Sequence, residues 1–229
     1  MTPPLHIVFA LYPRTTQLDF TGPHEVLWRA PGAVCHLASS SGGVVPADGG
    51  LVFDTQRLAD VPHCDVLVVP GGFGVIAALE DPEFLAQLRR LGAQARYITS
   101  VCTGSLALGA AGLLKGRRAA CHWAWRDLLA SFPDVTPDPA RVVRDGPVFT
   151  GGGVTAGIDM ALVLLAELTS PTQAQAVQLG IEYAPAPPFD CGRPETAEPA
   201  VVQAVQARLD HLRPDRHAAV QRAAQRLAA

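Results

Sequence analysis

The chain has 229 residues, 48% of them hydrophobic and 17% charged, with 18 basic and 21 acidic side chains and a formal net charge of −3. That apolar share at low net charge excludes a disordered chain, and the length suits one large domain whose core needs no staples. The near-even sign balance leaves no basic field to hold a phosphate backbone, so nucleic acid is not an expected partner.

Residues 5–12 are apolar on both faces, as a buried parallel strand should be. This run is too short to span a membrane, and no basic segment precedes it as in an export signal. The longest later apolar stretch, residues 158–168, is also short and carries Asp159 and Glu167. A soluble, cytoplasmic protein with no membrane partner is expected. Thr21 reads as a helix N-cap with Pro23 in the first turn. A strand at 34–38 follows, then a glycine-rich loop at 39–50 and a minor strand at 51–53.

Residues 65–70 form the clearest strand and run straight into Gly71-Gly72. Phe84, Leu85, Leu88 and Leu91 recur at helical spacing across 82–93. Then come a strand at 97–101, a small-residue helix at 104–114, a helical segment at 123–131, and a hairpin of 141–144 with 148–150 around Asp145-Gly146. Helices at 154–168 and 171–183, a proline-rich irregular segment at 184–194, and helices at 199–212 and 214–227 complete the chain. Strands alternating with helices predict an α/β domain, a mostly parallel sheet sandwiched by helices. It is expected over residues 1–190, with 191–229 as a helical C-terminal extension packed on it.

In such sheets ligands sit at the carboxyl ends of strands, and three strand ends here are unusual. The segment Ser100-Val-Cys102-Thr103-Gly104-Ser105 ends a strand on a cysteine and begins a helix within two residues, the layout of a nucleophile elbow. A cysteine at a helix N-terminus is expected to have a lowered pKa; the plainer reading is a buried core thiol. At the second strand end, the Gly72 amide, with that of Thr103, is a candidate for stabilising developing negative charge. The alternative is a tight turn.

Asp19, between Leu18 and Phe20, reads either as a helix cap or as a buried acid near the thiol. Phe73, His122 and Trp123 are candidate pocket walls. Five cysteines (Cys35, Cys64, Cys102, Cys121, Cys191) with no CxxC pair argue for free thiols and no metal site. The run Gly151-Gly152-Gly153-Val154-Thr155-Ala156 nominally fits a dinucleotide fingerprint. With no strand after it, it reads better as a wall of the thiol site.

These motifs, with Leu18-Asp-Phe-Thr-Gly-Pro-His-Glu-Val-Leu27 and Gln178-Leu-Gly-Ile-Glu-Tyr-Ala-Pro-Ala-Pro-Pro-Phe189, resemble the ThiJ/PfpI superfamily and, within it, the isonitrile hydratase branch. The resemblance implies a flavodoxin-like, class I glutamine amidotransferase-like fold. It implies Cys102 as nucleophile, Asp19 as acid and Thr103 beside them, with an isonitrile as small-molecule substrate. It also implies a homodimer and no metal or organic cofactor. PfpI-type proteases place a histidine where this chain has Thr103. A branch fused to a helix-turn-helix regulator needs more than the 40 residues that follow Phe189. Two other readings stay open: another cysteine-dependent hydrolase, amidase-, protease- or glyoxalase-like, and a non-enzymatic thiol redox sensor.

Overall fold

A computed structural model describes residues 4–228 of the chain. The main sheet uses β1 (Leu5–Ala10), β2 (Ala33–Ser39), β3 (Gly43–Pro46), β4 (Val52–Arg57), β5 (Val66–Val69), β6 (Tyr97–Val101), β9 (Val142–Asp145) and β10 (Val148–Gly151). Two short strands, β7 (Arg118–Ala119) and β8 (Thr136–Pro137), pair apart from it. The order across the main sheet is β3-β4-β2-β1-β5-β6-β10-β9. All neighbours run parallel except the edge pairs β3–β4 and β9–β10. The Asp145-Gly146 turn closes the second of these, as the sequence indicates.

The helices are α1 (Leu18–Leu27), α2 (Val75–Glu80), α3 (Pro82–Gln94), α4 (Gly104–Ala110), α5 (Ala156–Leu168), α6 (Pro171–Gly180), α7 (Pro199–Leu209) and α8 (Arg213–Ala228). They cover both faces. Along β1, Val8 and Ala10 face one core, shared with α2, α3, α4 and α8; Ile7 and Phe9 face the other, shared with α1 and α5. This alternation is what a sheet buried on both sides demands. Among the described residues, no helix is long and apolar enough to cross a membrane.

Several elements depart from the expectation. Helix α1 begins at Leu18, not after Thr21, and its N-cap Gln17 makes no side-chain cap bond; the Thr21 hydroxyl donates instead to Gln17 Oε1 at 2.8 Å. The glycine-rich stretch holds a real strand, β3, paired with β4. The helical segment at 123–131 is a 3₁₀ helix over Arg126–Ser131, and α2 fills a stretch with no helix in the sequence reading.

Candidate active site

The chain reverses direction at β1: β2 lies on one side of it and β5 on the other. A crevice at the carboxyl ends of the strands follows from such a switch point. Three connections meet there, from β1 into α1, from β5 into α2 and from β6 into α4.

Cys102 sits between β6 and α4 with φ +57°, a left-handed conformation that costs a non-glycine residue about 1–3 kcal/mol. The elbow is held at both ends: the Cys102 N–H donates to Gly151 O at 3.0 Å, and the Ser105 hydroxyl donates to Cys102 O at 3.1 Å. Gly104 must be small, because a Cβ there would lie 2.1 Å from Val69 O. The helix start is thereby pressed against the end of β5.

Asp19 is fully buried in the first turn of α1. It is not the helix cap. Its Oδ2 accepts the Gly71 N–H at 2.9 Å, and its Oδ1 has no partner. Burial raises its carboxyl to about 7, against the lowering effects of the Gly71 amide and the neighbouring Cys102 thiol. That thiol adjoins the carboxyl without completing a well-aligned hydrogen bond to Oδ1.

The expectation of a lowered thiol pKa is corrected by this environment. Burial pushes Cys102 well up, and the charge of Asp19 adds to it. The Thr103 N–H, which is directed at the sulfur, and Arg216 pull the other way. A dipole from a seven-residue helix does not outweigh full desolvation. Because a charge on Asp19 opposes one on the sulfur, proton loss from this site belongs to the two groups together.

The expected pair of charge-stabilising amides is arranged differently. The Gly72 N–H donates to Thr103 Oγ1 at 3.1 Å, and the Thr103 amide serves the sulfur. Thr103 thus ties the β5 turn to the elbow.

A cavity of about 240 Å³ opens on Cys102. Phe73 and His122 line it, as does Val154 from the glycine-rich connection. Trp123 does not; it faces a neighbouring crevice, and Trp125 takes its place. His122 is held neutral, its pKa lowered to about 4 by burial and Arg216. Its Nδ1 accepts the Ala124 N–H at 3.3 Å, and among the described residues no hydrogen bond joins it to Cys102 as a Cys-His dyad would.

Sequence reasoning missed Tyr12, whose hydroxyl donates to Pro70 O at 2.8 Å beneath the site, and Val205, Leu209 and Arg216 on the cavity wall. A signal for Arg216 existed: with Ala219, Val220 and Ala223 it forms an i, i+3, i+4, i+7 stripe that is otherwise apolar. Among the described residues, no cluster of three or more His, Cys, Asp or Glu side chains is arranged to hold a metal ion.

The DJ-1/PfpI family model matches residues 6–167. The chain is 52% identical to the isonitrile hydratase of Pseudomonas putida over 205 residues, which is 89% of this chain and 90% of that protein. It is similar to a crystal structure of a ThiJ/PfpI family protein from Pseudomonas syringae, with a TM-score of 0.91 and 42% identity over 95% of this chain and 90% of the other. It also resembles Drosophila melanogaster DJ-1beta, with a TM-score of 0.71 and 25% identity over 80% of this chain and all of that one. The matched span runs from β1 through the elbow thiol to the end of α5, and the chain belongs to the DJ-1/PfpI family.

Proposed function

We propose that the chain is an isonitrile hydratase, adding water to R–N≡C to give the formamide R–NH–CHO. The observation that carries this reading is a thiol and a buried, proton-holding carboxyl side by side at the end of an apolar cavity. The 52% identity to an isonitrile hydratase supports it.

The terminal carbon of an isonitrile must gain both a nucleophile and a proton. With the shared proton on Asp19, the Cys102 thiolate forms an S–C bond to that carbon and Asp19 protonates the same atom. The product is a thioimidate, R–N=CH–S–Cys, and a carboxylate. The carboxylate then takes a proton from water as the water oxygen bonds to the carbon, and passes that proton to the nitrogen. Collapse of R–NH–CH(OH)–S–Cys forms the carbonyl, returns the hydroxyl proton to Asp19 and expels the thiolate. General acid-base help of this kind contributes roughly 10²–10⁴-fold.

The chain is proposed to act as a homodimer in the cytoplasm, where the Cys102 nucleophile stays reduced. Leu179 and Phe189, 81% and 75% exposed near the proline-rich segment, are the candidate contact residues.

The test is direct: incubate the purified chain with cyclohexyl isocyanide and follow N-cyclohexylformamide by mass spectrometry. Many product molecules per chain are expected. A single reaction per thiol followed by arrest would instead identify a sensor.

A further inference from the structure

Arg216, on α8, is 2% exposed. Its guanidinium stacks over Trp125 with Cζ 4.0 Å from the ring centroid, it lines the cavity that holds Cys102, and its Nε has no hydrogen-bond partner. Its neighbours on the helix are all compensated: Arg213 pairs with Asp127, and Arg222 and Arg226 pair with Glu80. Among the described residues, Arg216 makes no ion pair.

A guanidinium does not shed its proton, and a buried cation without a counter-charge is strongly disfavoured. The balancing anion must come from the groups around it. Tyr12, Cys102, Cys121 and His122 feel its charge directly, while Asp19, Asp48 and Asp127 act on members of that group. His122 is neutral and supplies no anion. Tyr12 and Cys121 are buried and ordinarily protonated. That leaves the Cys102–Asp19 pair, and the two are not equivalent. Asp19 is tied to the Gly71 amide and does not line the cavity, whereas Cys102 and Arg216 both line it.

We propose that Arg216 places the single negative charge of this pair on the Cys102 sulfur and leaves the proton on Asp19. The S–H bond breaks as the Asp19 O–H bond forms, and the trio of Arg216, Cys102 and Asp19 stays neutral overall. Arg216 is a positioning residue that acts through Cys102, supplied by a helix outside the segment that the family model matches. It explains how a thiol pushed up by burial is nevertheless the nucleophile, and why the proton waits on the donor that the hydration needs. The inference rests on the same acid pair as the hydratase reading and on no property of the substrate.

The experiment is alkylation of Cys102 in the full chain, followed across pH by mass spectrometry, with exposed Cys191 as internal reference. In the wild type, anionic iodoacetate should gain on neutral iodoacetamide at Cys102 relative to Cys191, because a buried cation faces the sulfur. In Arg216→Met the alkylation midpoint should rise by at least about one pH unit, a roughly tenfold slower reaction at pH 7. Arg216→Lys should restore most of it. A loss of packing against Trp125 alone would lower the melting temperature and leave the midpoint in place. An unchanged midpoint in Arg216→Met, or equal reagent preference at Cys102 and Cys191, overturns the proposal. The reagent comparison uses the wild type, so it decides even where a variant does not fold. No isonitrile is involved, so failure here is separate from failure to make a formamide.

Discussion

The Gly71 N–H donates to Asp19 Oδ2 at 2.9 Å while Asp19 Oδ1, equally buried, is left without a partner. One bond fixes the carboxyl to the turn after β5. The carboxyl also neighbours the Cys102 thiol.

This burial has a stability consequence. The Asp19 pKa rises from 3.8 to about 7 on folding, so the folded chain binds more protons than the unfolded one between those values. The associated stability is present below about pH 4 and is lost as pH rises towards 7, by up to about 4 kcal/mol. Asp19→Asn cannot ionise. It should be more stable than the wild type at pH 8, with the difference shrinking at pH 5, as read by urea titration, while formamide production nearly vanishes.

In the proposed mechanism the same pair sets the pH dependence of turnover. The productive form has lost one of its two shared protons, so kcat/KM should climb about tenfold per pH unit below pH 7 and flatten above it. A profile that falls between pH 7 and 8 would contradict this assignment.

Gly71 admits no side chain. A Cβ there would lie 2.5 Å from the Thr103 nitrogen and 2.8 Å from Asp19 Oδ2. Gly71→Ala should push the β5 turn away from both, lowering kcat by about 100-fold or more, in keeping with the cost of misplacing a reacting group. Steady-state kinetics with thermal melts will separate misplacement from unfolding.

Thr103→Val removes the hydroxyl that accepts the Gly72 N–H at 3.1 Å and leaves that buried amide unpartnered. A loss of about 1–3 kcal/mol of stability is expected, measured by denaturant midpoint, with a drop in kcat as the turn loosens.

Phe73 is 43% exposed at the cavity mouth. Phe73→Ala should raise KM for cyclohexyl isocyanide several-fold and change kcat little, since an apolar ring supplies neither a nucleophile nor a proton. Michaelis curves for small and bulky isonitriles will show whether the effect grows with substrate size.

Much of this site is legible in the chain. An apolar strand that ends on Cys102 ahead of Gly104 can only turn sharply, and Val66–Val69 running into Gly71 marks the second wall. What escapes local reading depends on contacts far along the chain. Gln17 carries no capping bond, so the start of α1 is misplaced by four residues and Asp19 reads as a possible cap. β3 has one buried residue, Val45, and its ladder with β4 is visible only once the chain folds back. Trp125, at the start of the 3₁₀ helix, is 3% exposed and lines the cavity while Trp123 stays only partly buried, a difference that no spacing in the sequence signals. The expected lowering of the thiol pKa by the helix alone fails for a related reason: a motif shows the helix that follows Cys102 but not the burial around it. Arg216, which offsets that burial, arrives from 114 positions downstream.

The proposed hydration depends on the sulfur of Cys102 bonding to the isonitrile carbon. The measurement that bears on it most closely is the rate of N-cyclohexylformamide release by Cys102→Ala, with its fold checked by circular dichroism. A well-folded variant with no turnover above the uncatalysed rate is expected. Formamide release at the wild-type rate from that variant would contradict it.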